Sequence, residues 1–247
     1  MNETIELMLN HRSIRKFTEQ PISEEQLHSI IASAQMASSS SHVQAYSVIR
    51  VTDLSKRERL AILTSNQRYV ADSPVFLVWC ADLYRNQVAY SLHDDPNHAS
   101  LHTAENMIVA TVDAALAAQN AALAAESMGM GIVYIGGIRN QIREVTELLE
   151  LPERVFPIFG MCIGFPDQEV GIKPRLPMEA ILHHDKYDIS QVSNLLESYD
   201  QTMSEYMHER TQGKMRRTWT EDMKNKFAAP SRLHMKAYLE EQGFYLQ

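Results

Sequence analysis

Between Ala104 and Met128 the chain carries ten alanines in a run made almost wholly of helix formers. Such a run has one stable form, a helix about 37 Å long at 1.5 Å per residue. Its small side chains let other backbone approach closely on more than one side. It is therefore read as a central helix, packed on a sheet and able to meet a second subunit. Glu105, Asp113, Gln119, Asn120 and Glu126 interrupt its apolar character, which makes a membrane span too costly. The remaining composition is that of a globular protein: 247 residues, 45% hydrophobic and 22% charged, enough to bury a core and unlike disordered or fibrous chains. With 23 Lys+Arg against 31 Asp+Glu the net charge is −8, which argues against a general nucleic-acid or anionic-membrane binder. The start, Met1 to Glu6, holds two acids and no long apolar core, unlike a secretory signal, so a cytoplasmic location is expected. The two cysteines, Cys80 and Cys162, lie in apolar strand-like runs and read as buried thiols, and their number excludes a disulfide framework or a cysteine metal site.

Around the central helix the pattern alternates. Ile5 to Leu9 is helical and ends at the polar His11-Arg12-Ser13. Ser23 and Gln26 form a capping box for a helix whose buried face is Leu27, Ile30, Ile31 and Ala34, ending near Ala37. Ser38 to Ser41 is a loop. Tyr46–Val51 and Val75–Cys80 read as buried strands, with a solvated helix from Leu54 to Tyr69 between them. Gly129 and Gly131 end the central helix, and Ile132 to Ile135 is a strand running into Gly136-Gly137. A helix near Asn140–Leu149, a strand near Val155–Phe165 and a loop with Lys173-Pro174-Arg175-Leu176-Pro177 follow. From Ser190 the tail is mostly helical and carries Trp219, Tyr238, Phe244 and Tyr245. No repeat or low-complexity linker divides the chain, so a single α+β domain over residues 1–247 is expected, with four or five central strands and flanking helices.

Common catalytic signatures are missing: no Walker loop, His-Glu-x-x-His, Gly-x-Ser-x-Gly or Cys-x-x-Cys occurs, and Gly129-Met130-Gly131 has Tyr134 where a dinucleotide fingerprint needs its third glycine. His98 and His102 are spaced for one helical face but lack a third ligand. His183-His184-Asp185 reads as an exposed helix end, so no metal site is assigned. Four polar segments carry more. His11, Arg12, Ser13 and Arg15 form a dense donor set for a phosphate or carboxylate. Ser38 to Ser41 offer hydroxyls, and Gln67 an amide suited to a heterocycle's edge. Lys173 and Arg175 place two cations on a stiffened backbone. Tyr134-Ile135-Gly136-Gly137 ends a strand where backbone can pass close to a flat ligand. Each segment alone is as compatible with a solvated turn or inert loop.

In this order and at these separations, the four segments resemble the FMN-dependent nitroreductase superfamily, most closely its NADPH-preferring branch of oxygen-insensitive nitroreductases and flavin reductases. Ala118-Gln119-Asn120-Ala121 and Glu126-Ser127-Met128-Gly129 extend the likeness, which runs along nearly the whole chain. The resemblance implies a three-layer fold with a central mixed β-sheet and a C-terminal helical extension. It also implies a homodimer with FMN at the subunit interface, both chains forming each site. His11, Arg12, Ser13 and Arg15 would hold the ribityl phosphate and the pyrimidine side, with Lys173 and Arg175 completing the phosphate grip. Ser39 and Ser41 would come from the loop, Gln67 would bond the ring edge, and Tyr134, Ile135, Gly136 and Gly137 would lie beside the isoalloxazine, with a backbone N–H at flavin N5.

The implied reaction passes two electrons from NADPH through FMN to nitroaromatics, free flavins or quinones by a ping-pong scheme, with no residue acting as acid or nucleophile. Arg210, Lys214, Arg216 and Arg217 put four cations within eight residues of an acidic chain, and Arg210, Lys214 and Arg216 are candidates for the NADPH 2′-phosphate. Arg210 matches the branch's first arginine, whereas Met215 stands in place of its second, beside Arg216. The alternatives are a flavin-binding carrier or sensor without turnover and another reaction of the superfamily such as reductive dehalogenation. A structural dimer without ligand leaves the donor segments unexplained.

Overall fold

The computed structural model describes residues 2–93 and 99–244. Met1, His98 and Tyr245 therefore lie outside the described residues. The chain forms two compact units, one of residues up to Glu169 together with those from Arg232 onward, the other Val170–Ser231.

The first unit is built on a four-stranded sheet. Its strands are β1 (Tyr46–Arg50), β2 (Val75–Asp82), β3 (Gly131–Ile135) and β4 (Val155–Gly164), in the order β1-β2-β4-β3. Every pairing is antiparallel, so the expected mixed sheet is corrected to an antiparallel one of four strands. The physical reason is topological. The long helical connection from β2 to β3 does not join sheet neighbours, because β4 lies between them and runs opposite to both. β2 is buried along its full length, as its unbroken apolar sequence requires.

The helices of this unit are α1 (Glu3–Leu9), α2 (Glu24–Gln35), α3 (Leu54–Leu63), α4 (Tyr69–Asp72), α5 (Tyr84–Ser91), α6 (Ala104–Ser127), α7 (Ile142–Leu148) and α10 (Met235–Glu241). α2 starts at the expected capping box: the Ser23 hydroxyl accepts the Gln26 N–H, and the Gln26 amide oxygen accepts the Ser23 N–H. α6 packs against α2 and the sheet through Ala114, Ala117, Ala118, Ala121, Ala122 and Ala125, all fully buried. Alanines at these positions permit helix axes to approach to the short end of the usual range, roughly 8 Å. By length and composition α6 could cross a membrane, yet its buried face lies in the protein core and carries Asp113 at 1% exposure. Ile108, Val112 and Leu116, four residues apart, stay about half exposed along another side.

The helix expected from Leu54 to Tyr69 is interrupted. The Thr64 hydroxyl bonds the Leu60 and Ala61 carbonyls, Ser65 and Asn66 take positive φ (70° and 57°), and the Gln67 N–H returns to the Ala61 carbonyl before α4 begins. The two cysteines are free and buried.

The second unit holds α8 (Val192–Arg210) and α9 (Trp219–Phe227) after a 3-10 turn at Met178–Ala180. Asp200 of α8 accepts the backbone N–H and the hydroxyl of Thr220, and the Trp219 ring meets Tyr199 at 6.1 Å. His183-His184-Asp185 falls in an exposed bend rather than at a helix end, Asp185 having a positive φ of 62° that stops helical continuation.

Candidate active site

α1 stops at Asn10, and the following segment lies beside β3: the Ile14 N–H donates to the Ile132 carbonyl at 2.9 Å. A Cβ on Gly131 would fall 2.4 Å from the Ile14 side chain, so the glycine is what lets this segment approach. Farther on, the Thr18 N–H donates to the Phe165 carbonyl, and Phe17 bridges to Pro166. Ile14 is buried, and around it His11, Arg12 and Ser13 are half-buried while Arg15 is exposed. His11 Nδ1 lies 2.6 Å from Glu126 Oε1, near the end of α6. Arg12 Nε donates to the Asn10 carbonyl at 3.0 Å, and the Arg15 N–H to Gln168 Oε1 at 3.2 Å.

The break after α3 places Gln67 where its N–H returns to the Ala61 carbonyl. Arg15 and Lys16 line a cavity of about 360 Å³ together with Arg68 and Tyr69, the two residues after Gln67. Gln67 Oε1 is buried and has no hydrogen-bond partner among the described residues. An unpaired buried acceptor costs about 1–3 kcal/mol, so it marks a place where a donor belongs.

β3 ends at Ile135. The Tyr134 hydroxyl donates to Gln119 Oε1 at 3.3 Å, and its ring meets Phe159 edge-on at 5.2 Å. Burial first, and then the Glu126 charge, push the Tyr134 hydroxyl well above its ordinary range, so it remains a neutral donor. The two glycines differ. A Cβ on Gly137 would come within 2.9 Å of the Thr64 carbonyl, so the close approach there is to backbone just before Gln67. A Cβ on Gly136 would meet only the Arg139 guanidinium, at 3.4 Å, which leaves its backbone open to a flat molecule. Arg232 fixes this turn by donating to the Gly136 carbonyl at 3.0 Å and to Asn140 Oδ1.

Ser39 and Ser41 sit elsewhere. Their loop has positive φ at Ser41, His42 and Gln44 and is held by Asp113, whose two oxygens accept the N–H groups of Ser40 and Ala45, each at 3.0 Å. Along α6, Asp113 precedes Glu126, the partner of His11, by about 20 Å of helix. In one protomer Arg15 shares a cavity with Arg68 and Gly137 packs on Thr64, while the serine loop is anchored at a distant point of the helix that holds His11.

In the second unit, Lys173 and Arg175 are exposed, and the Tyr199 hydroxyl donates to the Pro174 carbonyl between them at 2.8 Å. Arg210 ends α8 with its guanidinium 6.0 Å from the Tyr206 ring. Arg217 pairs with Asp222. The exposed side chains of Lys214 and Arg216 make no hydrogen bond or ion pair among the described residues.

The profile of the Nitroreductase family matches residues 8–165, and that of its C-terminal domain matches residues 173–247. The chain belongs to the nitroreductase family. Among its family relatives, the "FMN reductase (NADPH)" of Bacillus subtilis (strain 168) is 45% identical over 99% of both chains. The "Oxygen-insensitive NADPH nitroreductase" of Salmonella typhimurium is 43% identical, again over 99% of both. The solved structure of B. megaterium NfrA1 superposes with a TM-score of 0.97 at 46% identity, covering 99% of this chain and 100% of the other. The α+β nitroreductase fold with its C-terminal helical part is therefore that of this chain.

Three residues that organise the site were not assigned a role from the sequence. Asp113 and Glu126 stood out there only as acids interrupting an alanine-rich helix, and a lone acid on a buried helical face is itself the signal of a polar partner. Arg232 gave no signal, since its partners Gly136 and Asn140 lie some ninety residues earlier.

Proposed function

We propose that the protein is an FMN-containing, NADPH-dependent oxidoreductase that reduces nitroaromatics, free flavins or quinones, working as a cytoplasmic homodimer. The observations that support this reading are the unpartnered Gln67 Oε1, the cavity that Arg15 shares with Arg68, and the open backbone at Gly136. The donor set fits the cofactor. His11, Arg12, Ser13 and Arg15 supply cationic and hydroxyl donors for a phosphate, and we assign Lys173 and Arg175 to the same phosphate on their chemistry. The orphaned Gln67 Oε1 matches the N–H of a pyrimidine edge, and the open backbone at Gly136 matches a planar ring.

When bound, FMN supplies the two-electron chemistry between NADPH and the acceptor. The chain's own part is to bind, orient and polarise. Backbone dipoles at Gly136 and Gly137 stand ready for negative charge on the ring, and none of the named residues has to titrate during turnover. Ser39 and Ser41, anchored about 20 Å along α6 from the partner of His11, suit a site completed by a second copy. The exposed stripe of Ile108, Val112 and Leu116 on that helix is the kind of surface a homodimer covers. The relatives' names support NADPH as donor, and Arg210, Lys214 and Arg216 are assigned to its 2′-phosphate.

The test is an anaerobic visible spectrum of the purified protein with NADPH and, in parallel, NADH. A flavin spectrum bleached faster by NADPH is expected. Flavin that stays oxidised with both donors, or protein that takes up no FMN, overturns the reading. Parallel lines are expected in initial-rate plots at varied NADPH and acceptor, and intersecting lines would exclude a shared site for the two substrates.

A further inference from the structure

The His11–Glu126 contact joins two residues 115 positions apart at 2.6 Å, with the Glu126 side chain only 9% exposed. An ionised carboxylate has lone pairs and no proton to give, so the imidazole must be the donor and Nδ1 must carry the hydrogen. Among the described residues His11 makes no other side-chain hydrogen bond, which leaves Nε2 available. Among the described residues Glu126 Oε2 is buried and unpartnered, so His11 is the one side chain that the carboxylate holds there. The charges and titratable groups around the pair come from three elements: Arg12 beside His11 in the chain, Glu126 from α6, and Tyr134 from β3, kept neutral by its surroundings.

We infer that Glu126 is a positioning residue for the flavin phosphate: it fixes the ring of His11 with Nδ1–H bound to the carboxylate and Nε2 reserved for the ligand. The inference rests on the FMN reading above and adds to it a residue that touches no part of the ligand in this role. In water an imidazole samples both tautomers and rotates freely. Held by Glu126 it meets the phosphate already oriented, and the carboxylate offsets the charge of a ring that donates from both nitrogens.

The first test needs no cofactor. Long-range ¹H–¹⁵N correlation of the His11 ring in the apoprotein, assigned by its loss in His11→Asn, is expected to show a proton on Nδ1. In Glu126→Ala both tautomers are expected. A neutral wild-type ring protonated on Nε2 overturns the inference. The second test is a double-mutant cycle on FMN affinity, read by flavin fluorescence. Glu126→Ala and His11→Ala are each expected to weaken FMN about tenfold. The double variant is expected to be no weaker than His11→Ala by more than about twofold, because a residue acting only through His11 has nothing left to position. Losses that multiply would show an independent structural role and overturn it. If Glu126→Ala does not fold, Glu126→Gln replaces it in the cycle, and the wild-type ring measurement still decides. Wild-type protein that binds no FMN would sink the FMN reading, while the apoprotein spectrum would separately report whether Glu126 holds the His11 tautomer.

Discussion

Asp113 accepts the backbone N–H of Ala45 at 3.0 Å while its other oxygen takes that of Ser40, so one buried carboxylate holds both ends of a loop with three positive-φ residues. Ala45 is fully buried, so its N–H has no water to turn to once Asp113 is removed. Asp113→Ala is expected to cost about 2 kcal/mol, most of it the unpaired N–H, and to lower Tm by roughly 4–8 °C in a chain of this size. Asp113→Asn, which keeps one acceptor, should fall between wild type and alanine. Thermal unfolding of the three proteins checks the order.

The two glycines after β3 should separate stability from binding. Gly137→Ala would drive a methyl to 2.9 Å from the Thr64 carbonyl, and we expect a loss of about 1–3 kcal/mol from overpacking, seen as a lower denaturant midpoint. Gly136→Ala has room and should unfold like wild type while weakening FMN. The same midpoint for both variants would contradict the geometry.

Much of this arrangement was legible in the sequence where local chemistry decides it. The capping box at Ser23, the alanine-rich α6 and the apolar strands β2 and β4 follow from propensity and pattern, and the structure matches them within a few residues. The break after α3 was not legible, because Ser65 and Asn66 carry no strong stop signal and it is the Thr64 hydroxyl, bonding backward, that ends the helix. The mixed sheet was expected from family likeness and not from any residue, and strand direction depends on which strands pair across long loops. Of the site, the donor types at His11–Arg15 and Gln67 could be read directly. What holds His11 and the Gly136 turn, Glu126 and Arg232, could not, since long-range pairing leaves no trace in local spacing.

Both thiols are expected to be inert in the native protein. Burial pushes Cys162 up to about 12, outweighing the Ser73 hydrogen bond and the Arg57 charge that favour the thiolate, and burial raises Cys80 further. A thiol reagent at pH 8 should label neither until the protein unfolds. Because the folded value lies above the ordinary 9.0, the unfolded chain loses this proton first. The stabilising contribution is then whole below about pH 9 and declines as pH rises toward 12. Urea midpoints at pH 8 and near pH 10 should show the fall, and rapid labelling of folded protein would refute it.

Nicotinamide preference should reside in the loop after α8. Arg217 is engaged by Asp222, which leaves Arg210, Lys214 and Arg216 for a phosphate. Charge-assisted contacts of about 1.5–3 kcal/mol predict that Arg210→Ala with Arg216→Ala raises the KM for NADPH about 10- to 100-fold. The KM for NADH should move less than about twofold. Equal effects on the two donors would remove these arginines from the phosphate.

The pairing of Ile14 with Ile132 has a consequence outside catalysis. β3 is an outer strand of the sheet, and an uncovered outer strand offers its free backbone groups to another molecule. The segment that brings His11–Arg15 to the site also shields that strand. Proteolytic trimming past Ile14 would thus remove His11, Arg12 and Ser13, three of the proposed phosphate donors, and expose a template for aggregation in one cut, so cofactor retention should weaken as resistance to clumping is lost.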